Sequence, residues 1–125
     1  MKAAILRPNP AAEFFTPELC FINELSNSAN DPDLSIARAR VAAGITTRWH
    51  RLRETTERYV ILEGRARVEI GELPPQEVGP GDVVLIPPLC GQRITNLGDQ
   101  DLIFLALCTP CFRPEIYEDI EDRTQ

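Results

Sequence analysis

At 125 residues the chain is the size of one ordinary domain, and a hydrophobic content of 43% is enough to build one core. Thirteen Lys and Arg stand against 19 Asp and Glu, a formal charge of −6, which makes nucleic acid a poor partner because its phosphates need clustered cations. The stretch from Met1 to Pro8 loses its apolar character before a signal-peptide core forms, and no run reaches the roughly 18 apolar residues of a membrane span, so the expectation is a soluble, cytoplasmic protein with no membrane partner.

In chain order, residues 1–33 read as an N-terminal arm. Pro8, Pro10, Pro17 and Pro32 with the Phe14-Phe15 pair predict irregular chain holding one or two edge strands. From Leu34 to Val41, Ala37, Ala39 and Val41 alternate with Arg38 and Arg40, so one face is small and apolar and the other carries two guanidinium groups. Arginines turned to solvent are one reading of that strand; arginines at a pocket mouth, forking onto a carboxylate or phosphate, are the other. Strand composition recurs at Arg58 to Glu63, Arg67 to Ile70, Val83 to Ile86 and Leu102 to Cys108. Turn signals separate these runs at Glu63-Gly64, Gly71 to Pro75, Gly79-Pro80-Gly81 and Leu97-Gly98-Asp99. Short strands at regular spacing predict an all-β sandwich or barrel, with no helix longer than a turn or two. From Pro110 the chain runs into an acidic tail, 110–125, where Glu115, Glu118, Asp119, Glu121 and Asp122 read as a solvated end.

Two spaced patterns occupy the middle of the chain. In the first, Gly44 is followed after five residues by His50, after one by Leu52, after four by Glu57 and after six by Gly64. In the second, Gly81 is followed after five residues by Pro87, after one by Leu89, after two by Gln92 and after three by Asn96. Sixteen residues separate the two. The spacing resembles the two signature motifs of the cupin family: Gly, His-x-His, Glu, Gly, then Gly, Pro-x-Gly, His, Asn. Identities depart at three positions, where Leu52 replaces the second His, Leu89 the motif-two Gly, and Gln92 the last His. The resemblance implies a single cupin domain over 1–125, with motifs at 44–64 and 81–96 and a jelly-roll β-barrel of antiparallel strands. It also implies a homodimer, since family members commonly pair through an outer sheet; Val60, Leu62 and one side of Leu102 to Cys108 offer apolar surface for such pairing.

Strand side chains alternate with period two, so one inward residue sets its neighbours. If His50 faces the barrel interior, Leu52 does; Glu57 brings Tyr59 and Ile61; Gln92 brings Ile94 and leaves Arg93 and Thr95 outside. The interior is then a mostly apolar cavity with four polar groups, the composition of a small-molecule pocket. A carboxylate there must bind a cation, pair with one, or hold a proton, which makes Glu57 the residue most in need of a partner.

Metal-using cupins supply three His and one Glu from the motif positions. Carried over here, that resemblance reaches His50 and Glu57, with Gln92 offering an amide oxygen at the third position and Leu52 offering nothing. His50 is the chain's only histidine, so two His and one carboxylate cannot assemble. A reduced set of His50, Glu57 and Gln92 with Zn, Ni, Mn or Fe is one use of the site. Without metal, His50 and Glu57 form a closed hydrogen-bonded pair, or a general base with its orienting carboxylate, with Tyr59 as an acid or a cap on the network. Cys108-Thr-Pro-Cys111 has redox and zinc spacing but follows a strand; with Cys20 and Cys90 it could complete a thiolate site, be small buried hydrophobes, or place a Cys90 or Cys108 thiolate at the barrel mouth. Trp49 and Tyr117 read as packing residues. The expected function is a small-molecule-binding barrel: a divalent-metal-dependent enzyme of oxidation, isomerisation or lyase type with His50, Glu57 and Tyr59 catalytic. Its alternatives are a ligand-binding or sensor barrel without metal, or a filled barrel serving protein interaction.

Overall fold

The computed structural model describes residues 1–123, in which eleven antiparallel strands form two facing sheets. The first sheet takes β1 (Phe14–Phe15), β2 (Phe21–Ser26), β3 (Ser35–Val41), β10 (Leu102–Thr109), β5 (Thr56–Glu63) and β8 (Val83–Ile86), in that order. The second takes β11 (Tyr117–Asp119), β4 (His50–Leu52), β9 (Gln92–Asn96), β6 (Ala66–Ile70) and β7 (Gln76–Val78). From β3 to β6 and from β7 to β11 every connection carries the chain across to the other sheet, leaving β6–β7 as a hairpin. That crossing winds the strands into a jelly-roll barrel of the expected all-β class. Among the described residues, helix is confined to three short 3-10 turns at Pro10–Ala12, Pro114–Ile116 and Glu121–Arg123.

Alternation in the sequence becomes two faces in the fold. On β5, Glu57, Tyr59 and Ile61 are buried while Arg58, Val60 and Leu62 turn outward. The fully enclosed side chains, among them Val41, Ile61, Ile86, Ile94 and Leu102, fill the space between the sheets. Gly64 sits at φ +92° between β5 and β6, and a Cβ there would lie 3.4 Å from the Leu102 backbone, so both conformation and space favour glycine. The motif-two position Leu89 has φ 66°, the left-handed region that glycine normally occupies, and its side chain stands exposed.

The proline-rich arm and the acidic tail both contribute strands to the sheets. β2 is no edge strand: it is an interior strand, pairing with β1 on one side and β3 on the other from Phe21↔Arg40 to Ser26↔Ile36. The acidic tail is not a solvated end, because β11 adds to β4 with Tyr117 opposite Leu52 and Asp119 opposite His50. Charge explains the docking: Glu118 meets Arg51 and Arg53, and Asp119 takes the Arg48 guanidinium at 2.6 Å. The last two residues of that tail lie outside the described residues. Arg38 and Arg40 face away from the lumen and are held by Glu13, with Arg40 also reaching Asp101 and lying over the Phe21 ring, so the solvent-side reading of these arginines holds.

Candidate functional site

The phase deduced from the motifs places its residues together. His50, Leu52, Glu57, Tyr59, Ile61, Gln92 and Ile94 are all buried between the sheets. Thr95 is buried as well, drawn in by a bridge from Thr46 whose hydroxyl meets its own at 2.9 Å.

His50 opens β4 directly opposite Gln92 on β9. Its Nδ1 lies 2.8 Å from the Arg48 carbonyl oxygen, which can only accept, so Nδ1 carries the proton and Nε2 is left to face the lumen. What Nε2 meets is Glu18, whose Oε2 lies at 3.4 Å, rather than Glu57. The closed His50–Glu57 pair is therefore replaced by a His50–Glu18 contact. Glu18 belongs to the turn between β1 and β2, whose backbone is tied down by Arg48 N–H donating to the Glu18 carbonyl at 3.1 Å and by Thr16 N–H donating to the Cys20 carbonyl at 2.9 Å. On its other side the His50 ring stacks on Tyr117, with centroids 5.2 Å apart and planes 23° from parallel. Tyr117 is thus a wall of the site as well as a packing residue, and its hydroxyl is buried without a partner.

Glu57 is 8% exposed. Its Oε2 accepts a long contact from the Cys108 thiol at 3.7 Å, and its Oε1 has no hydrogen-bond partner. The Tyr59 hydroxyl donates to Gln92 Oε1, which uses the oxygen of that amide and leaves Gln92 Nε2 buried and unpaired. Burial pushes the Glu57 carboxyl up to about 7; His50 and the nearby Gln92 amide and Cys108 thiol pull it down, and Glu18 pushes it further up. Burial likewise raises Glu18, against the pull of His50. Cys108 and Tyr59 are raised by burial and by Glu57, so Cys108 stands here as a protonated thiol donor and not as a thiolate, and Tyr59 as a neutral phenol. All four cysteines are free.

Leu52, at the position of the family's second His, packs with Cys108 and Ile116 and against Phe112 and Tyr117. It seats the C-terminal segment on the barrel instead of offering a ligand. The donor set fits a metal poorly as arranged. His50 Nε2 faces Glu18, the Gln92 oxygen is engaged by Tyr59, and the free end of that amide is a donor. Among the described residues no three His, Cys, Asp or Glu side chains converge as ligands. The position of each group does suit a proton carrier: Glu57 beside a thiol and an amide, His50 held in one tautomer, Glu18 against it.

Space is graded from inside to outside. The innermost cavity, walled by Glu18, His50, Glu57 and Tyr59, holds about 30 Å³, room for one or two waters. A second chamber of about 100 Å³ shares Glu18 and Glu57 with it, and a mouth of about 290 Å³ opens between Phe14, Phe112 and Tyr117.

The chain matches the family model of the cupin domain over residues 37–108, more than half its length and including both spaced motifs. It belongs to the cupin family. This cupin is 36% identical over 87 residues to an uncharacterized protein of Methanocaldococcus jannaschii, an alignment covering 70% of this chain and 66% of that one. Among solved structures it is similar to the Streptomyces nucleoside dehydratase PAC13, at a TM-score of 0.76 and 12% identity over 94% of this chain and 92% of that one. It is also similar to KdgF from a Halomonas species, at a TM-score of 0.77 and 15% identity over 91% of this chain and 98% of that one. Those two likenesses, at such identities, concern the fold.

No helix among the described residues is long and apolar enough to cross a membrane. Glu18 and Tyr117 are the site residues that motif spacing does not reveal. Glu18 follows Pro17 in an otherwise apolar and polar-neutral turn, and an acid in that setting is the one local signal that could have marked it.

Proposed function

We propose that this cupin binds a small polar molecule in its lumen and exchanges a proton with it through Glu57, as an isomerase or lyase would. The observation that carries this is the Glu57 carboxyl itself, buried, with one oxygen unpartnered, and poised near neutrality where a group both gives and takes a proton. His50, with its proton directed to the Arg48 carbonyl, supplies a second acceptor at Nε2, and Tyr59 holds Gln92 in place beside Glu57. A dehydratase among the similar structures is in keeping with lyase chemistry. The test is turnover: Glu57→Gln should abolish conversion of whatever substrate a metabolite screen returns while leaving the fold intact, and unchanged turnover in that variant would end the proposal.

A second reading is favoured by the size of the inner cavity. At about 30 Å³ it admits water and not a substrate, so a ligand confined to the outer chambers would be bound without reaching His50. A sensor of this kind predicts ligand-induced stabilisation that survives EDTA with no product formed. Elemental analysis of untagged protein beside His50→Ala addresses the metal-dependent reading: near-stoichiometric metal lost in the variant would mean that Gln92 and Glu18 rearrange to ligate. Self-association is the remaining part of the proposal. Val83, Leu85 and Leu62 stand exposed on the outer face of β8 and β5, and sedimentation analysis of Leu85→Arg against wild type should show a dimer in the latter alone.

A further inference from the structure

Several carboxylates of the outer surface are paired with arginines: Glu13 with Arg40, Glu69 with Arg93, Asp119 with Arg48. Those around the lumen have none. The walls of the 100 Å³ chamber carry Glu18, Glu24 and Glu57, and those of the 290 Å³ mouth carry Glu18 and Glu24, with no Lys, Arg or His in either lining. His50 reaches only the innermost cavity. Glu57, more than nine-tenths buried, presents an oxygen with no partner. Three aromatic rings, Phe14, Phe112 and Tyr117, line the mouth through which a ligand would pass.

We propose that these two chambers are a site for a small organic cation, an amine on an apolar body, with Glu18 and Glu57 at its charged end and Phe14, Phe112 and Tyr117 along its body. The proposal rests on the ligand-binding reading of the barrel and names its substrate class. Elimination by charge leads to it. An anion entering the chamber would meet three carboxylates and no cation. A neutral apolar molecule would leave the Glu57 oxygen buried and unpaired, the costly arrangement for a polar atom. An ammonium group supplies both the missing N–H donors and the missing charge, and aromatic rings attract a cation that passes over them. Burial raises the carboxyls of Glu18, Glu24 and Glu57, and no Lys or Arg in either lining offsets it.

The decisive experiment is an NMR titration of the full-length protein at pH 7 with benzylamine, benzyl alcohol and benzoate, which share a ring and differ in charge. Benzylamine should bind about tenfold more tightly than benzyl alcohol, benzoate should not bind over the same range, and the shifted resonances should include Glu18, Phe112 and Tyr117. Glu18→Gln should weaken benzylamine about tenfold and leave benzyl alcohol unchanged; Glu24→Gln, in the wall of the same chamber and mouth, should act in the same direction and guards against a folding defect in the first variant. Nα-acetyl-lysine amide distinguishes the source of the cation. If it outbinds benzylamine the cation is a protein side chain, and if not a free amine, and both results support the proposal. Equal binding of benzyl alcohol, or any preference for benzoate, would overturn the cation site while leaving the ligand-binding barrel intact. Failure of every probe to shift a lumen resonance would sink both.

Discussion

The rim and the lumen of this barrel treat a carboxylate in opposite ways. At the rim, acids sit opposite guanidinium groups in exposed or half-exposed pairs such as Arg48–Asp119 and Arg93–Glu69. There the Arg48 guanidinium beside Asp119, and the Arg93 guanidinium beside Glu69, hold the carboxyls below their ordinary range. In the lumen, Glu57 has lost its water and gained no guanidinium, and burial outweighs the pull of His50 and drives it the other way. The same residue type pairs across strands with a guanidinium in one place and lies buried with no guanidinium beside it in the other. Unpaired burial is tolerated where a ligand or a proton completes it.

The largest way to break that contrast is to neutralise Glu57. In the fold its carboxyl holds a proton up to about pH 7, against an ordinary value of 4.5, so between those pH values the folded state binds more protons than the unfolded chain. Its contribution to stability is full below the ordinary value and is lost as pH rises through 7. A shift of this size corresponds to about 3 kcal/mol. Denaturant unfolding should therefore show wild type losing stability between pH 5 and 8, with Glu57→Gln more stable than wild type by up to about 3 kcal/mol at pH 8 and indistinguishable from it near pH 4.5. A flat difference across that range would mean that Glu57 already has a partner.

Glu18→Gln should act in the same direction but less, because this side chain keeps one-fifth of its exposure. It should also lower the pH at which Glu57 titrates, read by carbon NMR of the carboxyl, since Glu18 pushes that carboxyl up. At the rim, Arg40→Met removes the hydrogen bonds to Glu13 and Asp101 and the contact with Phe21, and should cost about 1 kcal/mol, diminishing in high salt. The smallest effect belongs to Arg113→Ala. Its partners Glu54 and Glu115 are largely exposed, and thermal unfolding should move by the equivalent of less than about 0.5 kcal/mol.

How much of this was legible in advance depends on the distance over which each feature is encoded. The motif glycines and the period of two place His50, Glu57, Tyr59 and Gln92 on one inward surface, because turn conformation and side-chain alternation are local properties of the backbone. The local pattern misleads at the ends. Proline-rich composition marked the arm as holding edge strands and hid the interior place of β2, set by its ladder to β3, and acidic composition hid β11, whose place is set by arginines more than sixty residues away. Glu18 and Tyr117 arrive at the site on these two segments, so they were invisible for the same reason.

By itself the sequence determined the family, the two-sheet barrel, the inward phase of the motif strands and the shortage of imidazole ligands. All of these follow from spacing, alternation and composition along neighbouring stretches of chain. Only the tertiary structure decided that His50 answers to Glu18, that Leu52 became a seat for the C-terminal segment, and that one oxygen of Glu57 is left without a partner. Those outcomes depend on which distant segments close over the barrel mouth, and pairing of that kind is settled by packing and charge in three dimensions.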